Sequence, residues 1–147
     1  MRKISFSTNV HAPFETIWAL MLDRIEHPPA SAVKQVLIIE RRDNLLVREV
    51  QARWLRFKER ITIDQGKREI RYTMQEHPLF FGSAIMRAVP LSRQSPVSPV
   101  HLSMVLDWTA KNEEAERSII GTMPAEVQQE VLSIKDEAEA RVRTVVL

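Results

Sequence analysis

The chain of 147 residues has the length of one ordinary domain, and its 44% share of hydrophobic residues is typical of a globular protein. Because 21 basic residues nearly balance 19 acidic ones, the charge does not indicate a nucleic-acid-binding protein. The sequence has no cysteine, which excludes disulfides, thiolate metal ligands and a cysteine nucleophile. No apolar run approaches the ~20 residues that a membrane span needs.

The start of the chain predicts a strand followed by an amphipathic helix. Polar and apolar residues alternate from Ile4 to Val10, where a signal peptide would have a continuous apolar stretch. Pro13 suits a first helical turn, and apolar residues then recur at spacings of three and four from Phe14 to Ile25. The prolines after His27 end this helix, and a short helical turn is expected over Ala30 to Val33. We expect one cytoplasmic domain over residues 1–147.

The middle of the chain, from Val33 to Thr109, predicts strands almost throughout. Turn signals at Asp43-Asn44 and from Asp64 to Lys67 separate alternating segments, which indicates an antiparallel meander. The segment Pro90 to Pro99 is expected to be a loop, and the facing of a strand over Gly82 to Val89 stays open.

The end of the chain predicts the longest element, a helix that begins near Pro124. An apolar stripe recurs every three or four residues along it: Val127, Val131, Ile134, Ala138, Val142 and Val145. A stripe of this length needs a large apolar partner, and the predicted sheet is the only candidate. The expected fold class is therefore α+β.

Several short stretches carry a resemblance to a known family: Ala12–Leu20, Glu26–Pro28, Leu46–Val50, Lys58–Ile61 and Leu106–Trp108. With the order of elements, they make the chain similar to the helix-grip fold of the START-like, or SRPBCC, superfamily, and most similar to its AtaL-like branch. The resemblance implies a curved antiparallel sheet of about seven strands around the C-terminal helix, with one or two short helices after the first strand. It also implies a hydrophobic cavity between sheet and helix, but no particular chemistry.

Glu59 is the main candidate for chemistry in that cavity. It shares strand parity with Phe57 and Ile61, so its carboxylate is expected to point inward, where a lone charge is costly. Arg48 has the inward parity of the neighbouring strand. Glu59 is therefore a candidate general base or hydrogen-bond acceptor, with Arg48 as its partner or as an anion binder. A structural ion pair is the alternative.

The other predicted ligand-binding residues are apolar or aromatic side chains of inward parity: Trp54, Ile61, Tyr72, Met104 and Trp108. The four histidines lack metal-site spacing and are expected to face solvent, although His77 lies in an apolar segment that is a candidate lid. No metal and no cofactor are predicted.

Three functions remain open. The leading one is a carrier for a small hydrophobic molecule, with aromatic and polyketide-like compounds as candidates. The second is a cyclase or isomerase that uses Glu59 as general base in the same cavity, and the sequence does not decide whether the protein is an enzyme. The third is a non-catalytic protein-interaction module. Nucleic acid and a membrane are not expected partners, and a homodimer stays open.

Overall fold

The computed structural model describes residues 2–28, 33–52, 55–92 and 99–146, and the structural statements below concern these residues. The helices and strands follow in the order β1 Arg2–Val10, α1 Phe14–Glu26, β2 Val33–Arg42, β3 Leu45–Ala52, β4 Arg56–Asp64, β5 Glu69–Met74, β6 Phe80–Pro90, β7 Val100–Ala110, α2 Glu113–Gly121 and α3 Met123–Val146.

The strands form one antiparallel sheet in the order β1-β7-β6-β5-β4-β3-β2. The last strand, β7, pairs with the first strand, β1. Strands β2 to β7 follow one another as the predicted antiparallel meander. Inward-facing residues alternate with outward-facing ones along the strands. The facing of β6, which the sequence left open, follows from the burial of its residues. Ala84, Met86 and Ala88 are buried there, whereas Arg87 is exposed. The predicted α+β fold with seven strands is confirmed.

The 24-residue helix α3 packs its apolar stripe into the core formed with the sheet and α1. Val131, Ile134 and Ala138 are fully buried, as expected for a helix whose contact face repeats every three or four residues. Core residues of α1 and the inward residues of the central strands meet this stripe. The helix therefore joins β1, β7 and α1 to one core.

A second short helix, α2, lies between β7 and α3, where the sequence did not predict one. Asn112 caps it by accepting a hydrogen bond from the backbone N–H of Ala115 at 2.8 Å. Ala115 and Ile119 pack with Phe80 in a small second apolar cluster. Of the helical turn expected over Ala30 to Val33, Val33 instead begins β2.

Several predicted features lie outside the described residues: residues 30–32 of the expected turn, most of the loop between Pro90 and Pro99, and Trp54. No helix in the described ranges is both long and apolar enough to cross a membrane.

Gly82 allows an unusually close approach of β6 to β7. Its φ is +128°, and a Cβ at this position would lie 2.1 Å from the backbone oxygen of Asp107. Only glycine adopts such a conformation without strain. Because Gly82 pairs with Trp108, this contact sets the position of an aromatic side chain in the cavity described next.

Candidate functional site

A cavity of about 150 Å³ lies between the inner face of the sheet and the first turns of α3. Strands β3 to β7 supply one wall and α3 supplies the other. The lining residues are Arg48, Val50, Phe57, Glu59, Tyr72, Ala84, Met104, Leu106, Trp108, Met123, Glu126, Val127 and Glu130. Most of the surface is apolar, and the charged groups come from β3, β4 and α3.

Arg48 and Glu59 form a buried ion pair directly across the β3–β4 hairpin. The Nε and Nη2 atoms of Arg48 donate to Oε1 of Glu59 at 3.0 and 2.8 Å. The described residues of β3 and β4 pair without a register shift, so the two inward parities predicted from the sequence place both groups on one face. The expected inward position of Glu59 is observed, with 7% of the residue exposed.

The third nitrogen of Arg48 binds the end of a helix. Its Nη1 atom donates to the backbone oxygen of Ile25 at 2.6 Å and lies 3.5 Å from that of Arg24, both in the last turn of α1. A cation is favourable at a helix C-terminus, where carbonyl oxygens lack helical partners. Burial acts to lower the pKa of Arg48, but Glu59 and Tyr72 raise it, and the net shift is upward. Arg48 therefore stays charged and links sheet to helix.

Tyr72 lies beside this pair on β5, with 8% of the residue exposed. The Arg48 guanidinium lies over its ring, 5.1 Å from the centroid. Burial is the main cause that raises the pKa of Tyr72, so its hydroxyl is neutral at physiological pH. Among the described residues, no hydrogen-bond partner of that hydroxyl is found, and the residue lines the cavity.

Two carboxyl groups that the sequence analysis missed reach the cavity from α3. Burial raises the pKa of Glu130, with a further increase from Glu59 and Glu126 that Arg48 and Arg24 oppose. Burial also raises the pKa of Glu126. Both acids lie one position before a residue of the apolar stripe, and this spacing is the signal that could have revealed them.

His77 is buried, which corrects the expectation that all four histidines face solvent. Its Nδ1 accepts hydrogen bonds from the backbone N–H groups of Leu79 and Phe80 at 3.0 and 3.2 Å. Its ring lies 4.6 Å from that of Phe57 and 6.4 Å from that of Trp108, which both line the cavity. Burial, helped by the nearby ammonium of Lys111, lowers the pKa of His77 to about 4. His77 therefore orders the chain behind the cavity wall as a neutral acceptor.

Not all of the predicted ligand-binding residues are found around the cavity. The structure brings Arg48, Glu59, Tyr72, Met104 and Trp108 together there. Ile61 is not among the lining residues, because it lies fully buried in the main apolar core. Trp54 lies outside the described residues. No group of three or more potential metal ligands occurs in the described part of the chain.

A larger groove of about 510 Å³ lies on the surface between α1 and the turn that joins β2 to β3. Its lining is mixed, and most of its charged rim groups are already paired with one another. Arg41 contacts Glu26, and His27 lies 3.2 Å from Asp23. The sheet–helix cavity, whose carboxyl groups are less fully paired, is therefore the better candidate for a ligand site.

A seven-stranded antiparallel sheet packed on a long C-terminal helix, with a cavity between them, is a helix-grip fold. Solved structures share it over most of the chain. The Zhui aromatase/cyclase from Streptomyces sp. R1128 matches with a TM-score of 0.83 and 20% identity over 98% of this chain and 97% of that chain. Norcoclaurine synthase from Thalictrum flavum matches with a TM-score of 0.66 and 16% identity over 90% and 91% of the two chains.

The di-domain ARO/CYC BexL from the BE-7585A biosynthetic pathway matches with a TM-score of 0.73 and 16% identity. The match covers 95% of this chain but 47% of BexL. No protein-family model matches the sequence, and no curated protein matches it. At these identities the likeness establishes the helix-grip fold, while the AtaL-like branch stays a prediction.

Proposed function

We propose that the protein binds one small, largely apolar molecule in the cavity between the sheet and α3. The observation that carries this proposal is the cavity itself, which has apolar walls and a polar cluster on one side. Such a composition is usual for small-molecule sites, where burial gives affinity and a few polar groups fix orientation. The likeness in fold to an aromatase/cyclase supports a ligand that contains a ring.

The volume favours a ligand of about one ring. A dry cavity of roughly 150 Å³ holds benzene, whereas drug-sized ligands occupy roughly 300–1,000 Å³. The cavity measures about 150 Å³. A polyketide-like molecule with several rings would require the walls to move apart.

Filling the cavity tests the proposal. Ala84 lines it and is 4% exposed, so Ala84→Leu places a larger side chain in the space that the ligand would occupy. We expect the parent protein to bind benzyl alcohol, measured by chemical-shift changes at Tyr72 and Trp108, and Ala84→Leu to lose this binding. Val89→Leu, on the exposed face of the same strand, is the matched control. Equal binding by parent and Ala84→Leu would place the ligand elsewhere.

The alternative is an enzyme that uses Glu59 as general base in a cyclisation, isomerisation or hydration. The observation in its favour is a buried carboxylate whose Oε2 has no hydrogen-bond partner among the described residues, while Oε1 binds Arg48. Glu59→Gln should then abolish turnover and leave binding of a neutral ligand largely intact. In Glu59→Gln, Arg48 loses its anionic partner, which also lowers stability. Glu59→Asp keeps the charge and therefore separates a loss of chemistry from a loss of folding.

The proposal treats residues 1–147 as a single START-like ligand-binding domain of the AtaL-like type that acts in the cytoplasm. The third function, a non-catalytic interaction module, would require no ligand uptake by the cavity. The open space beside Tyr72 favours a carrier or an enzyme over such a module.

A further inference from the structure

Each nitrogen atom of the cation in the cavity already has an acceptor, and its charge is balanced by Glu59. Three nitrogen atoms of Arg48 donate hydrogen bonds, two of them to Glu59 and one to the end of α1. Because Glu59 already balances the charge of Arg48, an anionic ligand would add a negative charge beside Glu59, Glu126 and Glu130. The sequence-based role of Arg48 as an anion binder therefore has little support in this geometry.

The polar atoms that remain are mostly hydrogen-bond acceptors. One oxygen of Glu59 and the carboxyl groups of Glu126 and Glu130 have no hydrogen-bond donor among the described residues. The cavity thus combines one engaged cation with three acidic side chains. Within the described ranges the indole N–H of Trp108 also has no partner, but it is enclosed by protein atoms and not open to a ligand.

A second observation points to a ligand at the same place. Tyr72 is more than nine-tenths buried, lines the cavity, and has no hydroxyl partner in the described part of the chain. Its hydroxyl oxygen is not among the fully enclosed unpaired atoms of the described residues, so it is open to the cavity and marks a position where a ligand can supply the missing hydrogen-bond partner. It stands close enough to Arg48 to share the polar side of the cavity with Glu59.

We infer that the cavity takes a protonated amine carried on a single apolar ring, with the ring against the apolar walls and the ammonium among Glu59, Glu130 and Tyr72. This inference rests on the proposed function and names its ligand class. An ammonium supplies hydrogen-bond donors for these acceptors, and its positive charge balances the excess of acidic side chains over the single cation Arg48. The aromatic faces of Phe57 and Trp108 favour a cation as well as a ring.

Proton release is an expected consequence of this binding. Glu130 faces Arg48 on β3, Glu59 on β4, Tyr72 on β5, Arg24 on α1 and Glu126 on its own helix. Burial raises its pKa, so it retains a proton more readily than a solvated carboxyl group. An arriving ammonium favours the ionised form and expels that proton, so binding should tighten as the pH rises towards neutrality.

The test compares three probes of nearly equal size: benzylamine, benzyl alcohol and benzoate. We expect benzylamine to bind at least about tenfold more tightly than benzyl alcohol, because its ammonium forms charge-assisted hydrogen bonds. Benzoate should bind most weakly of the three. Calorimetry in buffers of different ionisation enthalpy should show proton release with benzylamine and none with benzyl alcohol. Glu130→Gln should reduce the affinity for benzylamine about tenfold, remove the proton release, and leave benzyl alcohol within about twofold.

Asp136→Asn is the control variant because it removes one negative charge from an exposed position of the same helix. It should change none of these values by more than about twofold. Benzyl alcohol binding as tightly as benzylamine, or an unchanged proton release in Glu130→Gln, would overturn the inference and leave the proposed carrier intact. Failure of all three probes to bind would instead overturn the proposed function.

Discussion

At the scale of single residues, the Arg48–Glu59 pair connects the site to the fold. It is buried, it spans two strands, and it reaches the end of α1 through Ile25. The loss of one member of such a pair is costly because the other charge stays buried without a partner. The same contact that positions the candidate base therefore also stabilises the protein.

We predict that Arg48→Met lowers the free energy of unfolding by roughly 3–5 kcal/mol, because it leaves Glu59 as an uncompensated buried charge. The double variant Arg48→Met/Glu59→Leu should recover much of that loss, since no buried charge then remains unpaired. Urea denaturation measures both values. The control is Arg56→Met, which removes an exposed partner of Glu49 in the same hairpin and should cost less than about 1 kcal/mol. A loss in Arg48→Met no larger than in this control would contradict the account.

We also predict that His77 makes the protein less stable in mild acid. The unfolded chain binds a proton at His77 near the ordinary pKa of about 6.5, whereas the folded protein binds it only near 4. Stability that is present above about pH 6.5 should therefore be lost as the pH falls towards 4, by up to about 1.4 kcal/mol per pH unit.

His77→Asn isolates this effect, because the side-chain oxygen of asparagine can also accept from backbone N–H groups two and three residues further on. The variant should show a shallower fall in unfolding free energy between pH 6.5 and 4, whereas His27→Asn, at an exposed position, should keep the parent slope. Identical slopes in parent and His77→Asn would show that other groups cause the acid sensitivity.

At the scale of elements, α3 joins the sheet, α1 and the cavity. Its apolar stripe forms the core, and the acidic residues beside the first turns of that stripe line the cavity. The helix is thus both a structural support and a wall of the candidate site.

We predict that Ile134→Asp lowers the free energy of unfolding by more than about 4 kcal/mol, because it places a charge at a fully buried position. Thermal melting followed by circular dichroism measures the effect. Gln129→Asp introduces the same residue at an exposed position of α3 and should stay within about 0.5 kcal/mol of the parent. Similar melting of Ile134→Asp and the parent would show that this face of α3 does not pack on the sheet.

The contact between β6 and β7 predicts a large cost for Gly82→Ala. The new Cβ would meet the backbone oxygen of Asp107, and the positive φ would strain any residue other than glycine. We expect a loss of at least about 2 kcal/mol and a changed fluorescence of Trp108. Gly121→Ala is the matched control, because nothing lies within 4 Å of its added Cβ and alanine favours a helix. A neutral Gly82→Ala would contradict the close approach.

The elements with strong periodicity could be predicted from the sequence, and those with weak periodicity could not. The stripe of α3 and the inward parity of Glu59 repeat over enough residues to identify their buried faces. Helix α2 buries only Ala115 and Ile119, so it leaves almost no periodic signal. Its N-cap Asn112, followed by acidic residues in the first turn, was the available sign.

The site was predicted less completely than the fold, since a cavity depends on which elements meet. Parity shows which way Glu59 points, but not that Glu130 approaches it from a helix far along the chain. The burial of His77 likewise depends on the rings of Phe57 and Phe80, which come from two different strands. Contacts of this kind are tertiary, and a local pattern in the sequence does not specify them.

At the scale of the whole molecule, the cavity is a small part of the space between the sheet and α3. The aromatase/cyclase with the same architecture has 20% identity to this chain. In this protein, buried side chains close most of the volume between sheet and helix and leave about 150 Å³ beside Tyr72 and Trp108. A shared fold with a different cavity is a common basis for different ligands.

The most direct test of the central claim, a ligand held between the sheet and α3, is a crystal structure of the parent protein grown with saturating benzyl alcohol. We expect the ring of benzyl alcohol to lie between Leu106 and Val127. The hydroxyl group of the ligand should lie within hydrogen-bond distance of Tyr72 or Glu59. Crystals of Ala84→Leu grown in the same way should show the leucine side chain in that space. A parent structure in which the cavity stays free of ligand, or in which protein side chains occupy it, would contradict the account.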